Sequence, residues 1–275
     1  MTEKQGRIRA NGIDFAFIEE GEGPLVLMLH GFPDTAHTWD DLRPRLAAAG
    51  YRAVSPNTRG YHPTEAPRED PTQRTLGEDA LALIEALGGG PAVLIGHDWG
   101  ASAAYAAAAL NPKAIRLLVT VAIPHPAAIR PTLTLAWAVR HFFFYKLPGA
   151  PARFAKNDFA ALRKIYRRWS PRWELPPGEL DPILESFSHP ESLNAAFGYY
   201  RRAIGPPPSF LKNKIQVPTV SFAGTDDPVL TPAHYEAARR KFAADYTVET
   251  MPGGHFLHRE HPTRFAELLM PHLAQ

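Results

Sequence analysis

Short, almost wholly apolar runs alternate with longer stretches of helical period along most of this chain. Leu25–Leu29, Tyr51–Val54, Ala92–Ile95, Arg116–Ile123, Pro218–Ala223 and Tyr246–Thr250 read as strands. Helical patterns fall between them, from about Trp39 to Ala49, Leu76 to Leu87 and Ala101 to Leu110. Arg7–Ala10 and Ile13–Glu19 flank Asn11-Gly12, a dipeptide suited to a tight hairpin turn. Strands without polar alternation are buried on both faces. The pattern therefore predicts an α/β fold with a mostly parallel central sheet flanked by helices.

The pattern changes between about His125 and Lys214, which is rich in aromatics, proline and arginine and has its best periodicity at helical spacing. Strand and helix alternation resumes at Val217, after the Pro206-Pro207-Pro208 run. The expected organisation is a sheet domain in two parts, 1–124 and 215–275, with a helical cap, 125–214, inserted between them. A net charge of +2 argues against a broad electrostatic footprint for nucleic acid or a membrane surface. Arg163, Lys164, Arg167 and Arg168 form the densest basic cluster, read as a solvated helix face. The chain has no cysteine, which excludes disulfides and thiol catalysis and is compatible with a reducing cytosol. Met1–Arg7 lacks the apolar core of a signal peptide, so a cytoplasmic location is expected. Oligomeric state is not legible.

The candidate chemistry begins at Gly96-His97-Asp98-Trp99-Gly100, between a predicted strand and a predicted helix. This is the position of a nucleophile elbow, a strained turn that exposes its central side chain. An aspartate stands where a serine is usual. Two further polar groups follow strand ends, where open α/β sheets place their sites. They are Asp226 or Asp227 in Gly224-Thr225-Asp226-Asp227-Pro228, and His255 in Met251-Pro252-Gly253-Gly254-His255-Phe256. Nucleophile, acid and histidine are thus in the chain order of this kind of site. His255, His258 and His261 have metal-like spacing, but no carboxylate pattern accompanies them and no metal is expected.

A carboxylate is ionised at neutral pH and needs no base before it attacks. Attack on an ester would give a mixed anhydride, with no gain. Attack on an sp³ carbon gives an alkyl ester on the protein, which water activated by a histidine can split. The substrate implied is one with an electrophilic sp³ carbon, an epoxide or an alkyl halide.

These motifs resemble the α/β-hydrolase fold and, within it, the epoxide hydrolase branch, related to the haloalkane and haloacetate dehalogenases. The resemblance rests on His30-Gly31-Phe32-Pro33, Arg59-Gly60-Tyr61, the elbow, Gly224–Pro228, Gly254-His255-Phe256 and Tyr199-Tyr200-Arg201, spanning nearly the whole chain. It implies Asp98 as nucleophile, Asp227 as acid, His255 as base, and the backbone N–H groups of Phe32 and Trp99 as the oxyanion hole. Two tyrosines in the cap of such enzymes protonate the opening epoxide. Tyr200 matches the second, with Tyr199 as the other candidate. At the first position the alignment of His141–Pro148 places His141, or Tyr145 in a shifted register. The resemblance implies a small hydrophobic epoxide as partner and no cofactor. Trp137, Phe142, Phe143, Phe144, Tyr145 and Trp169 would make an apolar lid.

Dehalogenation is the alternative. Haloacetate dehalogenases carry arginines where this chain has Trp99 and Ser102, and haloalkane dehalogenases usually have asparagine in the place of Phe32, so both departures favour epoxide hydrolysis. A catalytically silent ligand-binding protein of the same fold is the third reading.

Overall fold

A computed structural model of the chain describes residues 3–129, 137, 139–203 and 207–274. Eight strands form one sheet in the order β1-β2-β4-β3-β5-β6-β7-β8. β1 (Lys4–Ala10) and β2 (Ile13–Glu20) make the expected hairpin, with Asn11 and Gly12 both at positive φ in the turn. β2 pairs antiparallel with β4 (Arg52–Pro56). All pairings beyond it are parallel, through β3 (Leu25–Leu29), β5 (Ala92–His97), β6 (Ile115–Val121), β7 (Thr219–Gly224) and β8 (Tyr246–Met251).

The apolar strands are buried on both faces because successive side chains point to opposite sides of a strand. Leu25, Leu27 and Leu29 join one apolar cluster, and Val26 and Met28 join the other. β5 sorts likewise, with Leu94 on one face and Val93 and Ile95 on the opposite one. Helices α1 (Arg43–Ala48) and α2 (Gln73–Ala86) precede β5. The helix after it, α3 (Trp99–Leu110), is apolar nearly all round and buried through Ala108, as a helix enclosed on every side must be. Its alanines let neighbours come close: a Cβ at Gly77 of the helix Gln73–Ala86 would collide with Ala106.

Several boundaries differ from the pattern, and three of them have a plain local reason. The stretch expected as one helix from Trp39 to Ala49 is a 3-10 turn, Ala36–Trp39, and a separate α-helix, Arg43–Ala48. The Thr35 side chain caps the first piece, and Pro44 fits the first turn of the second. The next helix starts at Gln73 rather than Leu76 because Thr72 and Thr75 cap one another reciprocally. β6 ends before Ile123 because Ala122 turns to φ 63°.

Helices His141–Tyr145, Ala150–Phe154, Lys156–Trp169, Asp181–Ser188 and Pro190–Arg202 all fall between β6 and β7. The chain expected as the first part of the insertion, 130–136, and Pro206 of the proline run lie outside the described residues. Among the described residues no helix is long and apolar enough to cross a membrane.

One buried node ties the insertion to the sheet domain. The Arg59 guanidinium pairs with Asp79, Nε donating at 2.6 Å, and the Asn11 side chain donates to the same carboxylate at 2.6 Å. The backbone carbonyl of Arg59 accepts from the Tyr199 hydroxyl at 2.7 Å. Removing one partner of a buried pair strands the other charge, so Asp79→Ala is expected to lower the free energy of unfolding by about 3–5 kcal/mol. Urea unfolding followed by circular dichroism checks this; a change of less than about 1 kcal/mol would show that Arg59 finds water instead.

Candidate active site

The elbow forms where β5 runs into α3. Asp98 has φ 52° and ψ −117°, a conformation rare for a side-chain-bearing residue. Its neighbours make room for it. A Cβ at Gly96 would strike the Gly100 carbonyl, and one at Gly100 would strike the Leu29 carbonyl. Only glycine on both sides lets this turn pack against β3.

The Asp98 carboxylate is thereby held between two groups. Its Oδ1 accepts from the Phe32 backbone N–H at 2.8 Å, and its Oδ2 lies 3.2 Å from His255 Nε2. A Cβ on Gly31 would meet Trp99 N, Asp98 Cβ and Asp98 Oδ1 each at 2.5 Å, so the loop that carries Phe32 packs directly on the elbow. Of the two expected oxyanion groups, the Phe32 amide bonds to the carboxylate. His30 fixes this loop: its Nε2 accepts from Thr58 N–H at 2.9 Å, so its Nδ1–H donates to the Gly31 carbonyl at 2.9 Å. Burial pushes His30 down to about 4, which keeps it neutral for both roles.

His255 faces Asp227 through its other nitrogen, Nδ1 to Oδ2 at 3.5 Å. The second oxygen of Asp227 accepts from Val229 N–H at 2.7 Å and Leu230 N–H at 2.9 Å, which orients the carboxylate. Of the two adjacent aspartates the resemblance implied Asp227 as the acid, and it is Asp227 that faces His255. Asp226 points elsewhere, to Arg172 at 2.8 Å.

Burial alone would lower the His255 pKa, but hydrogen bonds to Asp227 and Asp98 and their charges outweigh it and raise it to about 9. Burial works the other way on Asp98, and the His255 hydrogen bond and charge, with the Phe32 N–H, still hold its carboxyl below the usual range. At rest the centre is an imidazolium between two carboxylates.

Two contacts that the sequence did not reveal hold His255 in place. Its backbone N–H donates to the Trp169 carbonyl at 2.9 Å, and its own carbonyl lies 2.9 Å from His97 Nε2. Both engage the main chain of His255, which residue identity does not report. His258 turns away from the centre, with Nε2 on the Thr38 hydroxyl at 2.8 Å. Asp34 and Arg259 pair at 2.9 Å. Among the described residues no three histidine or carboxylate groups are placed to hold a metal.

The residues expected from the insertion separate into a wall and a layer behind it. A cavity of about 460 Å³ opens on Asp98, Trp99, Asp227 and His255, and His141, Phe142, Trp169 and Tyr199 line its far side. Tyr200 is fully buried behind this wall, its ring 4.8 Å from Phe142, 5.3 Å from Trp99 and 5.7 Å from His141. Burial, then the Asp98 charge, raises its pKa well above the ordinary value, while the Trp99 indole bonds to its hydroxyl. Tyr145, half-buried, lies beyond Tyr200, 5.0 Å from it and 5.5 Å from Phe32, and does not line the cavity. The Tyr199 ring reaches the cavity, but its hydroxyl belongs to the Arg59 carbonyl. Gln73 and Ser102, bonded to each other at 2.8 Å, add a polar spot to the wall.

A family model described as alpha/beta hydrolase fold matches residues 24–262. The AB hydrolase superfamily protein YfhM of Bacillus subtilis is 26% identical, covering 97% of this chain and 96% of its own length. Epoxide hydrolase A of Mycobacterium tuberculosis is 27% identical with the same coverage, 97% and 96%. The crystal structure of epoxide hydrolase VrEH1 from Vigna radiata matches with a TM-score of 0.82 and 26% identity, over 99% of this chain and 98% of that one. The likeness to the epoxide hydrolase branch that the motifs carry is met by these relatives.

The site makes a pH prediction. His255 has a raised pKa, so the stability contributed by its charged form is complete below the ordinary 6.5 and is lost as pH rises through about 9. Asp98→Asn removes one of the two carboxylates and is expected to lower the His255 pKa by about one unit or more. Imidazole NMR titration of both proteins measures it, and equal pKa values would mean that Asp98 does not hold the proton on His255.

Proposed function

The chain belongs to the alpha/beta hydrolase fold family, and from that premise we propose that it hydrolyses epoxides to vicinal diols through a covalent ester on Asp98. The observation that carries the reading is an ionised carboxylate at the elbow, with one oxygen on the Phe32 N–H and the other beside His255. A serine there would need a base to become a nucleophile. This carboxylate does not.

In the first step Asp98 Oδ2 attacks an epoxide carbon and the C–O bond breaks. The leaving oxygen takes a proton from the insertion, which acts as the cap of the site. His141 in the cavity wall and Tyr200 behind it are assigned as donors. The raised pKa of Tyr200 keeps its phenol protonated until an alkoxide forms nearby. Esterification removes the negative charge of Asp98. One of the two carboxylates that held the proton on His255 is gone, so His255 gives up its Nε2 proton, which returns through water to the deprotonated donor, and becomes a base for water.

In the second step His255 takes a proton from water, which attacks the Asp98 carboxyl carbon. The developing oxyanion is Oδ1, already on the Phe32 N–H, with the Trp99 N–H beside it. Collapse releases the diol, whose oxygen takes the proton from His255, and the proton left on the Asp98 carboxyl passes to His255, which restores carboxylate and imidazolium. Asp227, oriented by two backbone N–H groups, supports the imidazole whenever it is charged. A cavity with mostly apolar walls suits a hydrophobic epoxide. Halide release gains less support: the ring of Phe32 has no donor to offer, and the Trp99 indole is engaged with Tyr200.

A single turnover of excess protein with styrene oxide in oxygen-18 water tests the reading. The expected result is a diol carrying ordinary oxygen and oxygen-18 in the Asp98 peptide by mass spectrometry. No diol and no label would count against styrene oxide, and bromide release from 1-bromobutane would favour the halide reading. His255→Gln is expected to leave the first step and block the second, so that the alkyl ester accumulates on Asp98. Tyr200→Phe and His141→Gln should each lower the rate of ester formation by about 10²-fold. An undiminished rate in either would remove that residue from the mechanism.

A further inference from the structure

Among the described residues, the large apolar side chains left exposed are Trp137 at 70%, Phe143 at 66%, Phe144 at 53% and Leu147 at 38%. All fall in one short stretch of the insertion. The helix His141–Tyr145 divides its residues between two sides. His141 and Phe142 line the cavity, whereas Phe143 and Phe144 face solvent and touch each other at 5.7 Å. The apolar patch and the cavity wall are thus opposite sides of the same turn.

Positive charge is concentrated in the sequence that carries this patch, in a way the net value of +2 conceals. Between residues 137 and 169 there are eight Lys and Arg and one acidic residue, Asp158. Arg140 lies over the Trp137 ring at 4.3 Å. Arg168 is held below the usual guanidinium range by partial burial and by the charge of Arg140 nearby. Asp158 pairs with Arg163 at 3.2 Å, and the net positive charge that remains on the stretch favours an anionic surface. Exposed Trp and Phe beside Arg and Lys is also the composition that settles at the boundary of lipid headgroups and acyl chains.

We infer that this edge of the insertion docks on the surface of an anionic lipid bilayer, with Trp137, Phe143 and Phe144 in the interfacial layer and the surrounding arginines and lysines over the headgroups. The cavity would then open beside the bilayer, in which apolar molecules concentrate. The inference stands on exposure and charge alone and does not depend on the reaction assigned to Asp98.

Co-sedimentation with vesicles of phosphatidylcholine alone, or of phosphatidylcholine with phosphatidylglycerol, tests it on the full chain. Binding is expected only with phosphatidylglycerol present, weakening as salt is raised. Phe143→Ser with Phe144→Ser should weaken binding by about tenfold or more, from the apolar area lost. Arg140→Gln should weaken it by roughly fivefold. Thermal unfolding of each variant verifies that it remains folded. Three results would overturn the inference: no preference for phosphatidylglycerol, unchanged binding by the double serine variant, or a patch that instead holds two copies of the chain together, seen as a dimer that the serines dissociate without any vesicle binding.

Discussion

One backbone conformation governs the centre of this molecule: Asp98 held at φ 52° by a strand on one side and a helix on the other. A side-chain-bearing residue in such a region stores about 1–3 kcal/mol of strain, so the surroundings must impose it. β5 is fully buried and α3 is nearly so, and neither can relax without opening the core. The missing Cβ atoms of Gly96 and Gly100 allow the approach that makes the turn fit. Everything else at the site is placed relative to that fixed carboxylate: the Phe32 amide, the His255 ring, and through it Asp227.

Burial then assigns the charges. His30, His97, His255 and His258 are all buried. For His97 and His258 burial dominates and lowers the pKa, with neighbouring histidines adding to the effect on each. His30 is lowered for the same reason. His255 alone meets carboxylates through both ring nitrogens, and it alone is raised. A site crowded with imidazoles therefore carries one imidazolium, at the position where a proton can be released when the charge on Asp98 disappears.

The frame of the molecule was legible because its signals are local. Glycines around Asp98 and His255, apolar runs for β3 and β5, and Asn11-Gly12 for the hairpin each state their structure within a few residues. Helix Trp39–Ala49 was misread because its interruption depends on a cap from Thr35 and on where Pro44 can sit. Strand position alone does not separate Asp226 from Asp227, since both follow the same strand, whereas the resemblance of the motif pointed to Asp227. The insertion was hardest. Its short helices carry aromatic residues on the solvent side and on the cavity side alike, so periodicity cannot say which way His141, Phe143 or Tyr145 faces. Tyr199 and Tyr200 are adjacent and both buried, yet one hydroxyl anchors to the Arg59 carbonyl and the other to the Trp99 indole.

The insertion leaves from β6 and returns to β7, which are hydrogen-bonded neighbours in the sheet. Its length therefore places no demand on the spacing of the strands. Several of its ties to the rest end on main-chain atoms: Tyr166 on the Pro33 carbonyl at 2.9 Å, Tyr199 on that of Arg59, and the Trp169 carbonyl on the His255 N–H. Any amino acid supplies a carbonyl or an amide. Mutational drift can thus alter the cavity wall while the sheet retains the groups at the ends of β5, β7 and β8. Under the proposed reaction, specificity and reactivity lie on separable segments, and a lineage can exchange the first without rebuilding the second.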